Sequence, residues 1–246
     1  VTPYRNLRQG VQRFGYSGAS AAPLSTLLDG LVSYWALDET SGTRVDAVGE
    51  NDLTDNNTTG YDTGVNGNAA NLVVANNEYL SNNAAAGIEA GPTGITFSAW
   101  FKTNDASQDY NFLVSASDAW DTSSAGLLYQ RSNKILFQLT GGTTPVNAEV
   151  AQASTDWRLV IGWWDAGDGY PYIVLDGGDP VKGTYAAVGA TSAATKLRIG
   201  AQYGLEDPFF NWNGLIDEVA IWSRVLTEDE RAELYNSGSG KFYPFT

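Results

Sequence analysis

The chain has 246 residues, with 14 basic against 28 acidic side chains and a net charge of −14. Cysteine and histidine are absent, which excludes disulfide staples, thiolate or imidazole metal sites, and any nucleophile–base pair built on them. Apolar residues make up 43% and aromatics 12%, enough for a sizeable core and too many for a disordered chain, while the acidity argues against duplex nucleic acid as a partner.

Residues 1–28 hold Arg5, Arg8 and Arg13 and no acid, which leaves 11 basic and 28 acidic side chains for the rest. Rich in Gly, Ser, Ala and Pro, this stretch is expected to be an extended anchoring arm (1–28) ahead of one folded domain (29–246). No apolar run in the chain is long enough for a membrane-spanning helix, and the first residues contain no signal-peptide core.

Residues 31–37 (LVSYWAL) read as an apolar strand. Residues 51–83 are rich in Asn and Gly and are expected to form turns and loops. Residues 95–102 (ITFSAWFK) alternate, with Ile95, Phe97, Ala99 and Phe101 on one face. Short strands are expected at 112–116, 126–130 and 135–140. In 157–164, Trp157, Leu159, Ile161 and Trp163 share a face. Residues 165–169 (DAGDG) form a hairpin loop into a strand at 172–175. A short strand at 197–200 precedes 215–222 (LIDEVAIW), which is apolar on both faces. One helix is signalled: Thr227 caps it and Glu230 completes a T-x-x-E box. Glu228 and Asp229 fill its first turn, and Gly238 lies just past its end. Period-two alternation elsewhere predicts a two-sheet sandwich.

Four segments carry a family likeness: residues 30–42 (GLVSYWALDETSG), 95–103 (ITFSAWFKT), 173–177 (IVLDG) and 213–230 (NGLIDEVAIWSRVLTEDE). In order and spacing they resemble the laminin-G-like family of concanavalin A-type jelly rolls, and the last resembles the closing strand and helix of pentraxins. The resemblance spans residues 30–236. It implies an all-β, two-sheet antiparallel jelly-roll sandwich with adjacent first and last strands, one short C-terminal helix and the N-terminal arm. Lectins, glycan-binding modules, glycosidases, adhesion modules and virion proteins share this fold, so function must be argued from sites.

Glycosidases of this fold carry an E-x-D-x-x-E strand, whose alternation gathers the acids in one groove. No such strand is present, so the chain is expected not to be an enzyme. Asp217 and Glu218 are consecutive, and regular alternation sends consecutive residues to opposite faces. One of them is then buried and needs a partner. If the first and last strands pair, Asp38 approaches Asp217, and a structural Ca²⁺ between them, with carbonyls from 40–42, is expected. The alternative is a carboxylate satisfied by backbone N–H groups, or by Arg44 or Arg224.

Aromatics outside the obvious strands are candidates for stacking on sugars: Tyr110, Trp120, Tyr170, Phe209, Phe210 and Trp212. The competing reading folds the aromatics of 203–213 back over the sandwich. Trp35, Trp100, Trp157 and Trp163 are assigned to packing, and the apolar end 242–245 to covering this domain or a neighbour. The leading expectation is a non-catalytic, virion-associated component of the bacteriophage decoration, fibre or tail kind, held to capsid or tail proteins by the arm. The alternative is a secreted or cell-surface carbohydrate-binding or adhesion module. A glycoside hydrolase is the distant third.

Overall fold

The computed structural model describes residues 25–119, 123–141, 145–184, 192–204 and 210–246. Arg5, Arg8 and Arg13 lie outside the described residues. Among those described, eight strands form a first antiparallel sheet. Its order is β13 (Val181–Lys182), β12 (Tyr170–Leu175), β11 (Arg158–Asp165), β6 (Gly94–Thr103), β15 (Gly214–Trp222), β4 (Asn68–Leu72) and β3 (Gly60–Thr63). The opening strand β1 (Leu31–Trp35) also pairs with β15, so the first and last strands are adjacent, as the family likeness implies. The second sheet runs β10 (Val146–Ala151), β9 (Lys134–Thr140), β8 (Ser123–Arg131), β7 (Asp109–Ala119), β14 (Leu197–Ile199), β5 (Tyr79–Asn82) and β2 (Thr54–Asn56).

The expectation for residues 51–83 is corrected. They hold β2, β3, β4 and β5, none longer than five residues. Strands this short and polar show no periodicity of their own, and their ladder partners hold them extended.

The two sheets close on one apolar core. Ile95, Phe97, Ala99 and Phe101 of β6 face Phe137, Leu139, Val114 and Ile199 of the second sheet's strands within it. The close approach has a local requirement: a Cβ on Gly162 would fall within 2.6 Å of the Phe137 ring. The other face of β11 carries Leu159, Ile161 and Trp163, as the alternation predicts. That face is also buried, under a second layer built from the two ends of the body.

This second layer includes α1 (Glu228–Tyr235), which starts at the predicted Thr227–Glu230 capping box. Its Leu234 packs with Leu27, Trp100, Trp163, Trp222 and Phe245. Leu27 is fully buried, and its carbonyl accepts the Trp222 indole N–H at 2.7 Å. Thr26 donates to Glu230 at 2.5 Å, and Arg224 holds Glu230 with two bonds of 2.7 Å. Residues 25–28, placed in the arm by composition, are therefore part of the packed body. The C-terminal Phe245 is buried edge-on to Tyr34, so the apolar end covers its own domain.

Candidate functional site

The outer faces of the two sheets differ. On the second sheet, the part formed by β7, β8 and β9 carries Phe112, Leu127, Tyr129 and Leu136, with Tyr110 and Phe210 packed over them half-exposed. Tyr110 sits at a bulge where β7 slips register against β8, and its φ is 61°. An aromatic residue in the left-handed region is strained, and a bulge re-aims the side chain it carries. Here it lays the Tyr110 ring parallel to Tyr129, with centroids 6.2 Å apart, and edge-on to Phe210 at 6.3 Å. The Arg131 guanidinium lies over the Tyr110 ring at 4.9 Å. Tyr129 donates its hydroxyl to Gln138 at 2.8 Å, and burial pushes that hydroxyl up to about 12.

Phe210 is held in place by backbone. Its carbonyl accepts the Phe112 N–H at 3.1 Å, and the Asn111 amide donates to the Asn211 carbonyl at 2.6 Å. The chain then dives inward. Trp212 is fully buried and meets Phe101 edge-on in the main core. The expectation that Trp212 stacks on a sugar is therefore corrected: no face of its ring reaches solvent. Trp120 and Phe209 lie outside the described residues. Tyr170 stands apart from the trio of Tyr110, Tyr129 and Phe210, on β12, with the Lys182 ammonium 3.6 Å from its ring centre. Alternation placed Tyr129 inside a strand, and nothing in the sequence marked it, or Arg131, as a neighbour of Tyr110 and Phe210.

The outer face of the first sheet holds the acids. β15 bulges between Asp217 and Ala220, with Glu218 at φ 51°. Before the bulge Ile216 points into the core; after it Val219 and Ile221 do. Asp217 and Glu218 therefore share the outer face, contrary to the regular alternation expected, and both are buried. Asp217 accepts the backbone N–H groups of Val65 and Asn66 at 2.8 and 3.3 Å. Glu218 accepts the Asn66 amide at 2.9 Å and the Tyr34 hydroxyl. Tyr34 in turn accepts the Tyr243 N–H at 3.1 Å, which seals the pair beneath the C-terminal residues. Burial, then repulsion from Glu218, pushes Asp217 up to about 8, and burial pushes Glu218 up to about 7. In each case burial favours the protonated form.

Asp38 accepts the Asn68 N–H at 2.7 Å. Gly64 and Gly67 of the β3–β4 turn leave no room for a Cβ against Asp217 and Asp38, which is how backbone N–H groups reach these carboxylates. A Ca²⁺ at Asp38 and Asp217 would share these carboxylates with the backbone donors, which occupy Asp217 Oδ2 and Asp38 Oδ1, while Asp217 Oδ1 is buried without a hydrogen-bond partner. Among the described residues no group of three acids is arranged to hold a metal ion. Arg44 donates to the carbonyls of Gly42 and Thr59 and Arg224 to Glu230, so neither serves the pair.

A laminin-G family model, described as the concanavalin A-like lectin/glucanases superfamily, matches residues 74–230. No curated protein matches the chain. Among solved structures, the binding domain of botulinum neurotoxin DC in complex with SialylT superposes with a TM-score of 0.66 at 11% identity. The binding domain of serotype C1 gives 0.65 at 11%, and that of neurotoxin DC in complex with rat synaptotagmin II gives 0.63 at 13%. In each case 85% of this chain is covered and 52% of the other, so this chain spans about half the length of those structures. At such identities the likeness is one of fold. Among the described residues no helix is long and apolar enough to cross a membrane.

Proposed function

Because the chain belongs to the concanavalin A-like lectin/glucanases superfamily, we propose that it is a non-catalytic glycan-binding module of an extracellular or surface-exposed protein, and that it binds through the outer face of its second sheet. One observation carries the reading: Tyr110 is held in a strained, left-handed conformation that sets its ring against Tyr129 and Phe210 beside Arg131. Strain kept in a well-packed fold points to a functional site, and half-exposed rings with polar neighbours are what a sugar ring stacks on. The neurotoxin domains, in complex with SialylT and with synaptotagmin II, are binding domains on the same fold, which supports binding over turnover. So does the sealing of Asp217 and Glu218, which keeps this pair of acids away from a substrate.

The test is a glycan array followed by titration calorimetry. Tyr110→Ala is expected to weaken the best-bound glycan at least about tenfold, or 1.4 kcal/mol, with little change in melting temperature, and Tyr110→Phe to keep most of the affinity. Array binding that Tyr110→Ala leaves intact would overturn the reading. Attachment to a larger particle through residues 1–28 is compatible with it, since residues 25–28 lie on the face opposite the trio. Deleting residues 1–24 should then abolish particle association and leave glycan binding unchanged.

A further inference from the structure

The aromatic trio is one end of a longer surface feature. Beside it lies a recess of about 290 Å³ lined by Arg131, Ser132, Lys134, Leu136 and Glu149. A second recess, of about 420 Å³, is lined by Asn147, Glu149, Val181, Lys182 and Thr184. The two meet at Glu149, an exposed residue of the edge strand β10. Glu149 stands opposite Leu136 in the β9–β10 ladder, so the trough crosses the strands rather than following one.

The far recess sits where the edges of the two sheets close on each other. Thr184 donates its N–H to the Asn147 carbonyl at 3.2 Å, and a Cβ on Gly183 would collide with that carbonyl. From β8 through β9 to β10 is two inter-strand steps, roughly 10 Å, and the Thr184–Asn147 bond joins β10 to the segment after β13. The walls are rich in both donors and acceptors. Lys134 pairs with Glu149, and Lys182 with Asp168 at 2.9 Å, all four side chains being more than a third exposed. Exposed pairs of this kind add little to stability, so their charged groups can turn to ligand hydroxyls at small cost. Arg131 has no ion pair among the described residues and offers a planar fork of donors.

We propose that this trough takes a stretch of a linear polysaccharide several sugar units long, anchored by a ring on Tyr110 and followed across Glu149 to Lys182, rather than a single terminal sugar. This deepens the glycan-binding reading and rests on it. The experiment titrates the full chain with linear oligosaccharides, from mono- to hexasaccharide, of cellulose, chitin, xylan and starch type. One series is expected to bind with affinity rising at least about tenfold between its shortest and longest members. In Glu149→Gln/Lys182→Ala, the affinity for the shortest binder stays within about twofold and the gain with length disappears. Both side chains are exposed, and an unchanged melting temperature confirms folding. Affinity that does not grow with length, or growth that the double variant retains, overturns the extended site and leaves the Tyr110 reading standing. No binding by any series, together with a negative array, removes both.

Discussion

The outer faces of the two sheets are built from similar materials to opposite ends. The first carries Tyr34, Trp100, Trp163 and Trp222, yet these rings are covered by α1, residues 25–28 and the C-terminal residues. The second carries Phe112, Tyr129 and Leu136, and over them Tyr110 and Phe210 remain half-exposed. Each face has a bulge with a left-handed residue, Glu218 on one and Tyr110 on the other. On the covered face the bulge buries two acids; on the open face it lifts an aromatic ring. Composition alone therefore does not separate a packing face from a binding face. What separates them is whether residues 25–28, α1 and residues 242–245 cover the aromatics.

This contrast fixes what substitutions should do. Trp222→Ala on the covered face empties a fully buried site and orphans the Leu27 carbonyl, so it should destabilise by about 3–5 kcal/mol in denaturant unfolding. A loss under about 1 kcal/mol would mean that the second layer is not part of the cooperative core.

The carboxyl pair sets the next largest effect. Asp217 and Glu218 keep their protons in the folded chain up to about 8 and about 7, whereas the unfolded chain releases them near the ordinary carboxylate range. The folded state thus binds more protons over that interval, and stability should fall as pH rises from about 4 to about 8. Asp217→Asn/Glu218→Gln, neutral at every pH, should flatten the decline. Glu230 acts in the opposite sense. Burial alone would raise it, but hydrogen bonds from Arg224, Thr26 and Thr227 pull it down to about 2, so its contribution fades below about 4.5. A stability curve that rises between pH 5 and 8 would contradict the sealed pair.

Smaller effects discriminate further. Thr227→Ala removes the cap of α1 and should cost about 1 kcal/mol. Tyr110→Gly relieves a left-handed residue while removing exposed ring contacts, and should change stability by less than about 1 kcal/mol. The smallest effect expected is none: a chelator should leave the melting temperature where it was, because the donors around Asp38 and Asp217 are N–H groups.

The strands β6 and β11 and the helix α1 were legible because period-two alternation and a capping box are local signals, whereas β7 and β8 run well beyond the short strands expected at 112–116 and 126–130. β6, β11 and α1 lie where their residues indicate. The strands β2 to β5 were not, since three to five residues among Asn and Gly carry no period, and long-range ladders define them. The bulge at Glu218 was equally invisible: nothing local marks the extra residue, and it moves an acid from one face to the other. For the candidate site, Tyr110 and Phe210 stood out as aromatics outside the predicted strands. Tyr129 and Arg131 did not, because their place beside Tyr110 depends on the β7–β8 register. Trp212 stood out for the same reason as Phe210 and proved to be core, since an aromatic in an irregular segment gives no sign of the direction it faces.

Hydrogen–deuterium exchange of the full chain, with and without a saturating bound oligosaccharide, tests the open-face assignment most directly. The assignment predicts slowed exchange in residues 108–112 and 127–138, with no change in β1, β15 or the C-terminal residues. Slowed exchange confined to the sheet beneath α1 and Phe245, with β7 to β9 unaffected, would contradict it.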